Sequence, residues 1–250
     1  MISIEKHIQN FDVISLEELN QLALLTRTDR KFTLNIADLE EILFQIEKEY
    51  KILAIEGFKN MQYKTIYLDT PSFDLFRMHH NGKLNRYKIR IREYLQTNTR
   101  FFETKFKNNK GVTIKKRYNK ADGWDYNQLA KNFVEENTNI KANKLKKGLE
   151  VYCKRCTFAN IETGERVTID TELEYILNNK STKMENLVII EVKSKKGSRL
   201  SPILRALRDK RVQAFGISKY CFGIALLSEG VKKNMFKKKV LHLKKLNSAK

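Results

Sequence analysis

The sequence predicts an α+β chain dominated by one large antiparallel sheet or barrel with flanking helices. Three observations carry this expectation. Runs of two-residue alternation recur along most of the chain, short helical segments are interleaved among them, and no long linker or internal repeat divides it. The 250 residues can bury a sizeable core, 41% of them are hydrophobic and only two are proline, so most of the chain is expected to fold.

The elements follow in order. Phe11 to Leu25 reads as a lead-in with a small helix, and Thr26 to Leu34 as a strand. Asn35 is a helix cap for a segment from about Ala37 to Tyr50, because Leu39, Ile42, Leu43 and Ile46 recur at helical spacing. Met61 to Asp69 alternates as a strand, Pro71 ends it, and a short helix spans about Phe73 to His80 before Gly82. Strands are then expected at Asn85 to Leu95, Arg100 to Asn108 and Gly111 to Asn119. The last two are joined by Asn108-Asn109-Lys110-Gly111, residues that tolerate positive φ. A polar helical insert carries the single tryptophan, Trp124. Further strands are read at Leu149 to Asn160, Glu165 to Asp170 and Leu187 to Ser194. Ser201 followed by Pro202 opens a helix running to about Phe215. Residues 1 to 230 read as one domain. The segment from Val231 to Lys250, with eight lysines and no acid, reads as a basic appendage.

Lysine and arginine outnumber aspartate and glutamate 49 to 29, a formal net charge of +20. Such an excess calls for a polyanionic partner: nucleic acid, an anionic membrane, or phosphate chains. Three cysteines at irregular spacing argue against a disulfide framework, and the lone Cys153-x-x-Cys156 lacks two further ligands for zinc. No leader and no apolar run approaching ~20 residues is visible, which places the expectation in the cytoplasm.

Strand parity carries the functional argument, since alternate side chains face opposite surfaces. In the run from Arg86 to Arg92, Arg86, Lys88, Arg90 and Arg92 share one face while Tyr87, Ile89 and Ile91 share the other. Glu103, Lys105 and Lys107 form the next cationic face, backed by Phe102, Thr104 and Phe106. Lys115 and Arg117 follow on one face, as do Arg166, Thr168 and Asp170, and then Glu191 and Lys193. A solvated face usually mixes its charges, whereas here cation follows cation with single carboxylates among them, an arrangement that a polyphosphate would neutralise. The aromatics lie mostly on the opposite parity, which favours phosphate over base recognition and argues against a specific nucleic-acid platform. Parity favours an inward-facing tunnel over an open surface without deciding between them. Glycine-rich phosphate loops, H-E-x-x-H and a nucleophile elbow are all absent, so side chains must bind the phosphates.

The assembled motifs resemble the VTC domain, a polyphosphate polymerase branch of the CYTH or triphosphate tunnel metalloenzyme group. The matching residues are Arg27 to Phe32, Tyr67 to Thr70, His79 to Lys83, Asn85 to Tyr94, Phe102 to Lys105, Gly111 to Arg117, Glu165 to Asp170, Glu191 to Lys193 and Ser218 to Tyr220. The resemblance implies a closed antiparallel barrel forming a tunnel that binds ATP and polyphosphate, with a divalent metal, Mn2+ or Mg2+, held by a carboxylate. By position it implies catalytic roles for Lys31, Arg90, Arg92 and Lys105. Phosphate or nucleotide contacts are implied for Arg27, Lys88, Lys107, Lys115, Arg117, Arg155, Arg166, Lys193, Ser218 and Lys219, and metal ligation for Glu191 and Glu103. Glu103 has a second reading, as an ion-pairing group that orients its neighbours. Three departures stand out: Arg27-x-Asp29-x-Lys31 replaces the E-x-E-x-K of many tunnel triphosphatases, Cys153 stands where an aromatic is expected, and Gly216 where a further basic residue is expected. Hydrolysis of a triphosphate in the same tunnel and non-catalytic polyanion binding are the competing readings. The basic tail reads either as a cap that adds affinity for polyanions or as a peripheral contact with anionic membrane.

Overall fold

The computed structural model describes residues 4–22, 27–119, 128–196 and 201–249. Trp124 lies outside these, and of the helical insert read around it only the part from Gln128 onward is described. The described elements run α1 (Ile4–His7), β1 (Val13–Ile14), α2 (Leu16–Gln21), β2 (Arg27–Asn35), α3 (Leu39–Ile46), β3 (Lys51–Leu53), β4 (Met61–Asp69), α4 (Asp74–His80), β5 (Arg86–Tyr94), β6 (Thr99–Lys107) and β7 (Thr113–Asn119). They continue with α5 (Gln128–Asn137), β8 (Lys146–Ala159), β9 (Arg166–Leu177), β10 (Lys180–Met184), β11 (Leu187–Lys195), α6 (Pro202–Asp209), α7 (Lys219–Leu227) and α8 (Lys237–Ser248).

All the strands join one sheet, with β2-β11-β9-β8-β4-β5-β6-β7 as its antiparallel path. The expected antiparallel barrel sheet with flanking helices is present, and among the described residues no ladder joins β2 to β7. The segment after α6 covers the free edge of β2. Ala214 bridges to Phe32, and the Phe215 N–H donates to the Lys31 carbonyl at 2.6 Å.

Helix α3 is shorter than expected, because its first turn is a 3-10 turn at Ile36–Asp38 capped by the Asn35 side chain. Its buried stripe, Leu39, Ile42, Leu43 and Ile46, packs with Ile203 and Leu207 of α6 on Val188, Ile190 and Val192 of β11. Each such buried side chain is worth roughly 1.5–3 kcal/mol of apolar transfer. Helix α6 stops at Asp209 rather than near Phe215, where the chain turns to pair with β2. On the other side of the molecule, Ile89, Ile91 and Phe102 pack against Ala130 and Val134 of α5. The outer parity read from the sequence is thus the core beneath the external helices.

The inner surface has two zones. Tyr67, Leu149, Val151, Tyr175 and Ile189 form an apolar zone filled by Tyr220, Phe222 and Ile224 of α7 and by Leu243 of α8. Gly223 permits this plug, since a Cβ there would lie 2.5 Å from Leu149 and 2.7 Å from Tyr175. Beyond the plug the inner surface is charged. The switch between zones falls on β9, which extends past Asp170 to Leu177. There Glu172 adopts a left-handed φ of 49° and the register with β8 shifts. One inserted residue moves the inner face from Arg166, Thr168 and Asp170 to Leu173, Tyr175 and Leu177. No described helix is long and apolar enough to cross a membrane.

Candidate active site

Strand register brings the cationic faces together. Arg86, Lys88, Arg90 and Arg92 of β5 stand opposite Lys107, Lys105, Glu103 and Phe101 of β6, and Lys105 and Glu103 stand opposite Lys115 and Arg117 of β7. On the facing wall, Glu191 of β11 lies between Lys31 of β2 and Thr168 of β9, with Lys193 next to Asp29 and Arg166. The walls meet across the bore. Lys31 reaches the Ile217 carbonyl at 3.5 Å and Lys88 donates to the Ser218 hydroxyl at 3.0 Å, although four strands separate β2 from β5 along the sheet. Ser218 also caps α7, so the positive end of that helix faces the same space.

Glu103 is fully buried and shared by three cations. Arg90 donates to it at 2.5 and 2.6 Å, Arg117 at 2.8 and 3.0 Å, and Lys115 also pairs with it. Burial alone would raise its pKa, but Arg90, Arg92 and Lys115 hold it far below the usual carboxylate range. Asp170 is committed likewise, to Arg155 at 2.5 and 2.8 Å and to Lys219, whose ammonium also lies 3.3 Å from Cys153 Sγ. Glu191 differs. Among the described residues its only ion pair is with Lys193 at 3.9 Å, and Lys31 and Lys193 overcome the effect of burial to hold its pKa at about 2.

Lys31, Lys88, Arg92 and Lys105 form no salt bridge with a carboxylate among the described residues. Lys105 is driven down to about 6, first by repulsion from Arg90 and then by burial. Burial lowers Lys88 to about 8, with Lys31 and Arg90 adding to it, and lowers Lys115 to about 8 against the pull of Glu103. Arg92 also has its pKa lowered by burial and by Arg90, and its buried Nε has no hydrogen-bond partner. It lies instead over the Tyr63 ring at 5.6 Å, with Arg155 over the same ring at 5.2 Å. Charges placed this way repel one another until an anion enters.

Arg90, Arg92, Lys105, Lys31, Lys88, Lys115, Arg117, Arg155, Lys219, Ser218, Glu103 and Glu191 therefore converge on one bore. Arg166 sits toward its edge, bound to the Leu19 carbonyl of α2. Lys107 lies at the exposed end of β6 opposite Arg86, Lys193 lies beside Glu191, and the side chain of Arg27 is outside the described residues. Parity reasoning missed the aromatics at one end of the bore. Tyr63 and Tyr94 stand directly opposite each other with rings 4.5 Å apart, and Arg117 lies 4.2 Å from the Phe101 ring. These rings hold guanidinium groups without neutralising them.

No cluster of three or more metal-ligating side chains occurs among the described residues. The donor set still fits a magnesium- or manganese-like ion, which commonly takes one or two carboxylates and completes its shell with substrate phosphate and water. Glu191 is ionised and lightly engaged. Glu103 is not available, because its oxygens are taken by three cations.

Comparison with known proteins gives the same architecture. A candidate adenylate cyclase from Bacillus halodurans aligns over 82% of this chain and 98% of its own, at 12% identity and a TM-score of 0.50. One from Vibrio parahaemolyticus aligns over 78% and 97% at 12% identity and a TM-score of 0.48. A candidate adenylyl cyclase from Hippeastrum, described as having a dominant triphosphatase activity, aligns over 81% and 98% at 13% identity and 0.49. No curated protein matches the sequence. The VTC domain family model matches residues 26–228, which hold every strand of the bore and all its charged residues, and this chain belongs to the VTC domain family of the triphosphate tunnel fold.

Proposed function

We propose that this chain is a polyphosphate polymerase that moves the γ-phosphoryl group of ATP onto a polyphosphate chain, with a divalent cation, Mn2+ or Mg2+, as cofactor. The observation that carries this reading is the set Lys31, Lys88, Arg92 and Lys105, which form no salt bridge among the described residues, around the lightly engaged Glu191. A terminal oxygen of the acceptor chain attacks the γ-phosphorus. The bridging bond to the β-phosphate breaks, and its electron pair leaves with ADP. Arg90, Arg92 and Lys105 stabilise charge on the transferred group, while Lys31, Lys88, Ser218 and Lys219 fix the flanking phosphates. This chemistry rests on positioning and electrostatics and needs no covalent nucleophile. Glu191 would hold a divalent cation, which would supply positive charge against the phosphates. Arg27-x-Asp29-x-Lys31, in place of a carboxylate-rich first strand, supports transfer over hydrolysis.

Incubating the purified protein with ATP and manganese and resolving the products on a gel tests the reading. Long polymer is the expected product. Free phosphate alone would make the chain a triphosphatase, and salt-sensitive binding without turnover would make it a polyanion-binding module. Residues 1–230 are the catalytic unit in this reading, and the basic tail adds to its mouth.

A further inference from the structure

Where the tail meets the bore, a cavity of about 320 Å³ opens between α7, α8 and the ends of β2 and β5. Lys31, Lys88 and Ser218 line one side, so it is continuous with the proposed phosphate track. Phe236, Val240 and Leu243 of the tail line the other. His79 completes the wall, its ring within 9° of parallel to Phe236 at a centroid distance of 6.2 Å. Its buried Nδ1 has no hydrogen-bond partner among the described residues. Burial, with Lys88 and Arg86 nearby, lowers the His79 pKa to about 3, so the ring is neutral and offers one donor and one acceptor near pH 7. The ammonium of Lys239 on α8 donates to the Gly216 carbonyl at 2.5 Å and fastens the tail over this opening.

The volume stands at the small end of the ~300–1,000 Å³ typical of small-ligand pockets, too small for a macromolecule. A bare phosphate group against the apolar tail side would lose hydration without replacement. The lining suits a molecule with a planar, weakly polar body and an anionic end. We infer that this cavity is the nucleoside subsite for the ATP donor, with the base against Phe236 and hydrogen-bonded to His79, and the phosphates directed past Lys88 and Ser218. The tail is then part of the substrate site. The inference rests on the proposed use of ATP, yet it concerns binding and not turnover.

Photolabelling the full chain with an azido-adenine analogue of ATP tests it without any substitution. Label on peptides carrying His79 or Phe236 is expected, and label confined elsewhere overturns the subsite. Titration calorimetry with a non-hydrolysable ATP analogue and with inorganic triphosphate supplies a second arm. Phe236→Ala and His79→Ala should each weaken the analogue about tenfold while leaving triphosphate unchanged, since stacking and base contacts belong to the nucleoside alone. Equal effects on both ligands, or none on either, overturn the inference. Base labelling at this site by a protein that makes no polymer would sink the catalytic reading only. Polymer synthesis with the label elsewhere would sink the subsite only.

Discussion

Glu103 on β6 and Glu191 on β11 face the same bore from opposite walls, yet the first is fully buried beneath three cations and the second, among the described residues, forms an ion pair only with Lys193, at 3.9 Å. The sequence places both on cationic strand faces, and the resemblance offers both as metal ligands. Geometry separates them. Glu103 satisfies Arg90, Arg117 and Lys115 and ties three strands together, whereas Glu191 keeps its oxygens available. A carboxylate in a phosphate site can hold the cations in place or hold the metal, and its own partners tell which.

The sharpest way to break this comparison is Glu103→Gln. It strands three cations in a buried setting and should cost about 3–5 kcal/mol of stability, read as a lower denaturant midpoint. A protein as stable as wild type would show that Glu103 is not structural. Lys105→Ala should behave in the opposite way. Removing a lysine repelled by Arg90 should leave the thermal midpoint unchanged or raised, while ATP affinity falls about 10- to 100-fold from the lost phosphate contact. Glu191→Gln should leave folding intact and flatten the response of activity to added manganese; an unaltered titration curve would remove Glu191 from the metal role.

The smallest effect is a proton count. Lys105 and Lys88 have pKa values near 6 and 8 in the ligand-free bore, both below the usual lysine value. The unfolded chain therefore binds more protons than the folded chain between about pH 6 and 10, and these groups make ligand-free stability rise with pH across that window. A bound polyphosphate favours the charged forms. Binding near pH 8 should take up protons, which appears as a dependence of calorimetric enthalpy on the buffer's ionisation enthalpy. Proton release would contradict the arrangement.

Much of the scaffold is legible in the sequence because alternation survives in regular strands. From Arg86 to Arg92 on β5 and from Phe102 to Lys107 on β6 the cationic and apolar parities match the observed inner and outer faces, and the stripe on α3 packs as its spacing predicts. Legibility fails where the backbone departs from period two. The left-handed Glu172 reverses parity on β9 and converts a charged face into the seat of the α7 plug, which alternation from Arg166 to Asp170 does not foretell. Ion-pair partners are also invisible along the chain. Glu103 meets Arg90 and Arg117 only through two registers, and Glu191 is left lightly engaged by the same geometry. In the tail, Phe236, Val240 and Leu243 turn inward while Met235 and Leu241 stay exposed. Its packing depends on an apolar zone built from four distant strands.

Among the described residues no ladder joins β2 to β7, and this bears on how the bore is gauged. A hydrogen-bonded cylinder has its diameter set by backbone spacing alone, like a hoop. Here Ile217 and Ser218 form a short crosspiece that touches the lysines of both β2 and β5. A residue inserted or deleted between Ala214 and Ser218 would therefore shift this crosspiece against the two lysines while leaving the sheet's own ladders in place.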